Sequence, residues 1–175
     1  IQGLVNSFGT VVMAAFAAAV KIDAFAYMPV QDFGNAFSTF IAQNYGAKED
    51  ERIRKGLKAA VSISIGFCLV VSLLVFICAK PLMMIFVNEI DVIKEGVRYL
   101  RIEGSFYLGI GCLFLLYGLY RAIGKPAMSL VLTIISLGTR VLLAYILSSI
   151  VGVVGIWWSV PIGWFLADLF VFGYY

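Results

Sequence analysis

Long apolar runs separated by short polar breaks dominate the chain. A helix that crosses a bilayer needs about 20 mostly apolar residues, whereas a strand of a membrane barrel needs only ~9–11 residues that alternate with polar ones. The runs here are longer than such strands and do not alternate. They predict the end of a helix over residues 1–8 and then five membrane-spanning helices over 11–45, 53–79, 92–122, 127–150 and 153–174.

Glycine and proline mark the predicted helix ends and one predicted bend. Pro29 lies inside the second helix and predicts a bend there, because proline removes one backbone hydrogen bond and clashes with the preceding turn. Gly46 is typical of a helix end. Pro81 and the segments RAIGKP and SSIVGVVG are expected to separate the later helices.

The composition agrees with a membrane location. Of the 175 residues, 62% are hydrophobic and 13% are charged, against about 45–50% and about 25% in soluble domains. Too few polar side chains remain to cover a soluble surface, so we expect an all-α, polytopic integral membrane protein rather than a soluble helical bundle. The chain begins with Ile1 inside an apolar segment and shows no signal-peptide pattern, which favours a piece of a longer protein.

Several function classes lack their usual residues. The chain has no histidine, and its cysteines lie inside apolar runs without CxxC spacing, so we expect neither a metal site nor a disulfide framework. It has no nucleophile–base spacing and no GxxxxGK[ST] phosphate loop, so we do not expect an enzyme. A net charge of +3 is too small to indicate a nucleic-acid partner.

Basic residues in the predicted loops indicate the orientation. Loops rich in lysine and arginine stay on the cytoplasmic side. Residues 46–58 and 121–126 carry such clusters, whereas the alternate loops are acidic or uncharged. We therefore expect a protein of the cell (inner) membrane. Both basic loops and the C-terminus at Tyr175 would lie on its cytoplasmic side. Trp157 and Trp158 then fall near the outer interface, where indole rings are favoured.

Polar residues recur on single faces of the apolar helices, which turn by about 100° per residue. In the second helix, five polar side chains fall within about 80° of one another, namely Lys21, Asp32, Asn35, Thr39 and Gln43. Asp23 points to the opposite side. The later helices carry three further stripes, which are Glu103, Tyr107, Ile110 and Phe114; Ser129, Thr133, Ser136 and Arg140; and Trp157, Pro161, Trp164 and Asp168.

These stripes predict a polar, aromatic-edged cavity between the helices. An ionisable residue inside a bilayer costs several kcal/mol, so it normally faces protein or water. The alternative is structural, with Ser and Thr bonded to backbone carbonyls and the charges in ion pairs. We predict that the substrate or ion pathway includes Lys21, Asp23, Tyr27, Gln31, Asp32, Glu103, Tyr107, Arg140 and Asp168.

Glu103 and Arg140 lie on consecutive antiparallel helices at similar predicted depths. A salt bridge between them is one hypothesis. The other is that Glu103 accepts a proton or another cation.

Four segments resemble, in order, the second half of MATE (multidrug and toxic compound extrusion) transporters. They are KIDAFAYMPVQDFGNAFSTFIAQNYGAKEDERIRKGL, EGVRYLRIEGSFY, LYGLYRAIGKP and IWWSVPIGWFLADL. The resemblance implies twelve helices in two six-helix lobes, with this chain as the C-terminal lobe. Residues 1–8 would then end helix seven, and the five spans would be helices eight to twelve. Parallel repeats around a central cavity fit that architecture.

The resemblance also implies a function, namely secondary active efflux of organic, mostly cationic drugs or toxins. Transport would be driven by inward H⁺ or Na⁺ without another cofactor, and the partners would be membrane lipid and an N-terminal lobe. The branch that couples sodium through this lobe has an aspartate eight residues before the glycine that is Gly118 here. Ile110 stands at that place, so the chain is more similar to the DNA-damage-inducible efflux branch.

Two alternatives are a lipid-linked oligosaccharide flippase of the same superfamily and a membrane scaffold that transports nothing. Lys21 and Arg140 argue against a purely cation-selective site, because like charges repel.

Overall fold

The protein is helical throughout the part that the structure describes. The structure, a computed structural model, describes the backbone of residues 1–174 and the side chains of residues 1–171. Its helices, in chain order, are α1 (Gln2–Asn6), α2 (Thr10–Gly46), α3 (Asp50–Phe86), α4 (Ile90–Gly104), α5 (Tyr107–Ala122), α6 (Pro126–Val151) and α7 (Val153–Tyr174). The predicted C-terminus at Tyr175 lies outside the described residues.

The described helices can form a polytopic membrane bundle, as predicted. By length and apolar composition, α2, α3, α6 and α7 can each cross a membrane, and α4 with α5 can form a fifth, broken span. The outward faces of α3 and α6 expose large apolar side chains. Such a surface suits lipid, because the bilayer core accepts apolar side chains and leaves the helix backbone internally bonded.

The predicted continuous helix over 92–122 is wrong. The chain bends by 51° between α4 and α5, at Gly104 and Ser105. Sharp kinks favour such Gly/Ser pairs, and the hydroxyl of Ser105 donates a 2.6 Å hydrogen bond to the carbonyl of Arg101. A side chain that bonds back to the preceding turn in this way bends a helix.

Proline does not end α3, contrary to the predicted break after residue 79. The helix continues through Pro81 to Phe86. Met83 is fully buried in the last turn and packs on Gly96 of α4, whose missing Cβ makes room for the methionine. Neighbouring helices let membrane helices tolerate proline. The helix α2 likewise continues through Pro29.

Small residues bring the central helices close together. α5 lies between α2 and α3 on one side and the α6–α7 pair on the other. A Cβ on Gly118 of α5 would come within 2.6 Å of the carbonyl oxygen of Gly34 on α2. Glycine at such a crossing allows close backbone approach, which is how membrane helices gain packing energy. Further toward the other end of α5, the helices separate and leave a cavity between α2, α4 and α5 and the α6–α7 pair.

Candidate functional site

A cavity of about 560 Å³ lies among α2, α4, α5, α6 and α7. Aromatic rings and charged groups line it together. The lining residues that matter for its chemistry are Asp23, Tyr27, Tyr99, Glu103, Arg140 and Trp164. An ionisable group held inside a membrane helix normally faces protein or water, and this cavity is where the described helices place three of them.

Two buried carboxylates face the cavity, and each receives a tyrosine hydroxyl from another helix. Asp23 on α2 is 1% exposed and Glu103 on α4 is 2% exposed. Tyr27 of α2 donates a 2.5 Å hydrogen bond to Oε1 of Glu103. In the opposite direction, Tyr107 of α5 donates to Oδ1 of Asp23. We call this arrangement the crossed tyrosine–carboxylate pairs.

Helical spacing explains one half of the crossed pairs. Asp23 and Tyr27 are four residues apart on α2, and side chains at that spacing lie on the same face of a continuous helix. Glu103 and Tyr107 stand on either side of the break between α4 and α5, so the bend and not a helical repeat places them opposite α2. The two hydrogen bonds join α2 to both sides of the bend.

Each carboxylate keeps one oxygen free for another partner. Oδ2 of Asp23 and Oε2 of Glu103 are buried and accept no hydrogen bond within the described residues. The two carboxyl groups interact with each other, and the Tyr99 hydroxyl approaches both. The positive charge of Arg140 attracts both carboxylates from the α6 wall without a direct ion pair. A buried acceptor that lacks a donor carries a free-energy cost, so these oxygens suit a proton, a cation or a polar ligand.

The predicted salt bridge between Glu103 and Arg140 does not form. In the part of the chain that is described, no nitrogen of Arg140 lies within 4.0 Å of a carboxylate oxygen, and its Nε is buried without a hydrogen-bond partner. Tyr27 takes the position at the Glu103 carboxylate. Arg140 instead lines the α6 wall of the same cavity.

Aromatic rings surround the carboxylates. Tyr27 packs edge-on against Tyr107 and Trp164, with ring centroids 5.8 and 6.0 Å apart. Tyr99 packs edge-on against Phe16 and Trp157. Tyr99 was not among the predicted pathway residues, although its position four residues before Glu103 places both side chains on the same face of α4. The cavity thus combines negative charge with aromatic surface.

Lys21 and Asp32 do not join the cavity. Both are exposed, and the Nζ of Lys21 lies 6.0 Å from the ring centroid of Phe86 on α3. The buried stripe of α2 is instead its apolar one, which includes Ala19, Ile22 and Ala26 beside Asp23. The polar stripe lies on the exposed side of α2, because burial of the apolar stripe sets the rotation of the helix within this lobe. The place of Lys21 and Asp32 on the pathway stays a prediction.

Gln31 lines an adjacent pocket of about 430 Å³ rather than the main cavity. The two spaces share Phe114, Tyr117 and Thr133 as walls. Beyond Gln31, Arg121 donates a 2.9 Å hydrogen bond to Asn35. A line of polar side chains therefore continues from the cavity toward residues 121–126.

The stripe predicted on the last helix divides between three environments. Trp164 lines the cavity. Trp157 is fully buried and donates a 2.9 Å hydrogen bond to Glu95, so only its neighbour Trp158 is available to an interface. Asp168 lies in a separate crevice with Pro161. Helical spacing placed these side chains on one face, and Gly109 of α5 packs against that face at Trp164 and Asp168.

The described residues contain no group of three or more Cys, Asp or Glu side chains arranged to hold a metal ion. The three cysteines are free. The side chains that line the cavity offer carboxylates, hydroxyls, aromatic rings and one guanidinium group.

The family model MatE matches residues 1–146 of the chain. Among curated proteins, Bacillus subtilis (strain 168) has a relative named "Probable multidrug resistance protein YpnP", which is 29% identical over 136 residues, covering 78% of this chain and 31% of the relative. A second, "Probable multidrug resistance protein YoeA" from the same organism, is 25% identical over 174 residues, covering 98% of this chain and 38% of the relative.

The crystal structure of the Vibrio cholerae MATE transporter VcmN in the bent form has the same fold. The two structures superpose with a TM-score of 0.89 at 24% sequence identity. The matched region covers 97% of this chain and 39% of the VcmN chain. The chain thus spans between about a third and two fifths of the length of the proteins that it matches. Its assignment to the DNA-damage-inducible branch stays a prediction.

Proposed function

The chain belongs to the MatE family, and on that premise we propose that it forms the C-terminal lobe of a secondary active efflux transporter. The family consists of multi-pass membrane transporters, not enzymes. Because this chain spans only part of its relatives' length, an N-terminal lobe would supply the other wall of the pathway. The transported compounds would be small organic molecules, mostly cations, exported in exchange for H⁺ or Na⁺.

One observation carries the proposal, namely the buried pair of carboxylates in an aromatic cavity. Asp23 and Glu103 each keep one oxygen without a hydrogen-bond donor among the described residues. Tyr27, Tyr99 and Trp164 offer ring surface in the same cavity. A cation over an aromatic ring gains about 0.5–2 kcal/mol, so this lining suits an organic cation with an apolar body.

The same carboxylates support cation coupling. A proton or Na⁺ that occupies the free oxygens of Asp23 and Glu103 would neutralise the charge that holds an organic cation. Substrate and coupling ion would then compete for one site. This competition links the inward movement of H⁺ or Na⁺ to the outward movement of the organic cation. Arg140 on the opposite wall limits the net negative charge and would also accommodate a zwitterionic substrate.

The orientation is part of the proposal. Residues 46–58 and 121–126 carry clusters of lysine and arginine, which keep loops on the cytoplasmic side of the cell membrane. The polar line through Gln31 and Asn35 toward Arg121 would then be the cytoplasmic end of the pathway.

The other two functions considered from the sequence are not favoured by the matched relatives. A lipid-linked oligosaccharide flippase would need several basic groups to hold a pyrophosphate, whereas among the described residues Arg140 alone of the Lys and Arg side chains lines the cavity. A scaffold without transport predicts that Asp23→Asn and Glu103→Gln leave the flux of organic cations unchanged.

Export by the full-length protein tests the proposal. Cells that lack their own efflux pumps would express it, and the outward flux of a fluorescent organic cation would be measured. We expect Asp23→Asn and Glu103→Gln each to lower the export rate by at least about tenfold, equivalent to ~1.4 kcal/mol. The matched controls are Asp91→Asn and Glu51→Gln, whose side chains are solvent-exposed ion-pair partners and should leave export unchanged.

Normal export by both cavity variants, at equal protein levels, would refute the role of the cavity. Expression of this chain without an N-terminal lobe gives a second test. Its cavity would then lack one wall, so we expect no export, and drug resistance conferred by the chain alone would contradict the two-lobe arrangement.

A further inference from the structure

A third membrane-embedded acid, Asp168, lies in a crevice that is separate from the central cavity. The crevice has a volume of about 380 Å³ and runs between α5 and α7. Its other walls are apolar or aromatic, apart from Ser105 and the thiol of Cys112, and include Phe106, Pro161 and Phe165. Phe165 is largely exposed on the outer face of the bundle, so the crevice opens where apolar side chains face outward.

The Asp168 carboxylate is buried but not fully hydrogen-bonded within the described residues. The residue is 9% exposed, and its Oδ1 is buried without a hydrogen-bond partner among the described residues. Within those residues, no Lys or Arg nitrogen lies within 4.0 Å of it. A buried carboxylate that is neither paired nor fully hydrogen-bonded is costly inside a bilayer, which makes it a candidate for binding a ligand.

Close packing of Trp164 on α5 separates the crevice from the cavity. Trp164, one turn before Asp168 on α7, lines the cavity. A Cβ on Gly109 of α5 would lie 3.4 Å from Cβ of Trp164 and 3.9 Å from Oδ2 of Asp168. Because Gly109 has no side chain, α5 leaves room beside Oδ2 of Asp168, which lines the crevice.

We propose that this crevice binds lipophilic organic monocations that partition into the bilayer. The carboxylate matches the positive charge, and the apolar walls match a lipophilic body. The rings of Phe106 and Phe165 add surface over which a cation is attracted. The site lies on the outer face of the lobe, so it takes its ligand from the membrane. The inference does not depend on the proposed export through the central cavity.

Protection of Cys112 from alkylation tests the site directly. The full-length protein, with Cys112 as its only thiol, would be reconstituted in phosphatidylglycerol vesicles and labelled with a membrane-permeant maleimide. Tetraphenylphosphonium should slow the labelling by roughly tenfold at ten times its dissociation constant. Tetraphenylborate, which has the same shape and the opposite charge, should not protect.

Two substitutions test whether the charge of Asp168 is responsible for the protection of Cys112. Asp168→Asn should abolish protection, and Asp168→Glu should retain it. Unchanged labelling of Cys112 without ligand would show that the crevice is intact in both variants. Glu103→Gln should retain protection even where export is lost, so that failure of this inference and failure of the proposed function can be told apart.

Three results would overturn the proposal. Equal protection by tetraphenylborate would indicate partitioning into an apolar crevice without charge recognition. Protection that survives Asp168→Asn would place the cation elsewhere. Protection by phosphatidylethanolamine in the vesicles, with no added cation, would assign the crevice to a lipid headgroup.

Discussion

The hydroxyl of Tyr27 on α2 donates a 2.5 Å hydrogen bond to the carboxylate of Glu103 on α4, 76 residues away in the chain. Tyr107 on α5 returns the same kind of bond to Asp23 on α2. The two bonds run in opposite directions across one interface and hold both sides of the bend between α4 and α5 against α2. The groups proposed to bind cations are therefore also part of the structure that holds three helices together.

Removing one donor of the crossed pairs should weaken the fold. Tyr27→Phe deletes the hydroxyl at Glu103 and leaves a second oxygen of a buried carboxylate without a partner. We expect the free energy of unfolding to fall by about 0.6 kcal/mol, the average for hydrogen bonds between membrane helices, and by at most about 1.7 kcal/mol. Denaturant titration of the purified protein measures it. Tyr145→Phe, on an exposed face of α6, should have no effect.

A double-mutant cycle should detect the second bond. Tyr107→Phe removes the donor of this hydrogen bond and Asp23→Ala removes its acceptor. Together they should therefore cost less than the sum of the single changes, by about 0.5–2 kcal/mol in unfolding free energy. Tyr107→Phe combined with Asp91→Asn should be additive, since Asp91 is exposed and pairs with Lys94. Additive costs in the first cycle would mean that the bond contributes nothing to stability.

Exchanging the charges of Glu103 and Arg140 should not restore transport. Each group lines the cavity, but the two make no direct ion pair. Glu103→Arg and Arg140→Glu should each lower export by about tenfold or more, and the double variant should be no better. Recovery of export in the double variant would instead establish a functional salt bridge.

The control for this exchange is a salt bridge that is present in the structure. Glu51 and Lys55 are exposed and lie 2.7 Å apart on α3. Exposed pairs of this kind contribute only about 0.3–0.5 kcal/mol. The exchange Glu51→Lys with Lys55→Glu should therefore leave both export and thermal stability close to those of the unmodified protein.

A methyl group at the α2–α5 crossing should destabilise the bundle. In Gly118→Ala the new Cβ would meet the backbone carbonyl oxygen of Gly34 at 2.6 Å, and overpacking of this kind costs about 1–3 kcal/mol. Gly138→Ala on α6 meets nothing within 4 Å and should be neutral or stabilising, because alanine favours helix over glycine. Thermal unfolding of both variants compares them, and equal melting temperatures would show that the crossing is loose.

The helical fold could be predicted from the sequence because apolar runs of this length have few other stable forms in a membrane. The predictions that proved wrong concern helix ends and bends, which depend on contacts outside the local sequence pattern. Ser105 bends the chain where a continuous helix was expected. Pro81 does not end α3, because Met83 is held by contact with Gly96 on α4.

The candidate site was only partly predictable. Asp23, Tyr27, Glu103 and Arg140 were all expected on a pathway, and the structure places them around one cavity. Lys21 and Asp32, expected with them, are exposed. The hydrogen-bond partners were not anticipated either, because the salt bridge expected for Glu103 is replaced by a tyrosine hydroxyl.

The sequence by itself determined that the chain is a bundle of membrane helices and which side chains share a face on each helix. Both follow from local physics, namely the apolar length needed to cross a bilayer and the helical repeat. Only the tertiary structure decided how each helix is rotated about its axis, and so which face meets the cavity. That rotation is set by close packing and hydrogen bonds between helices, which join residues as far apart as Asp23 and Tyr107.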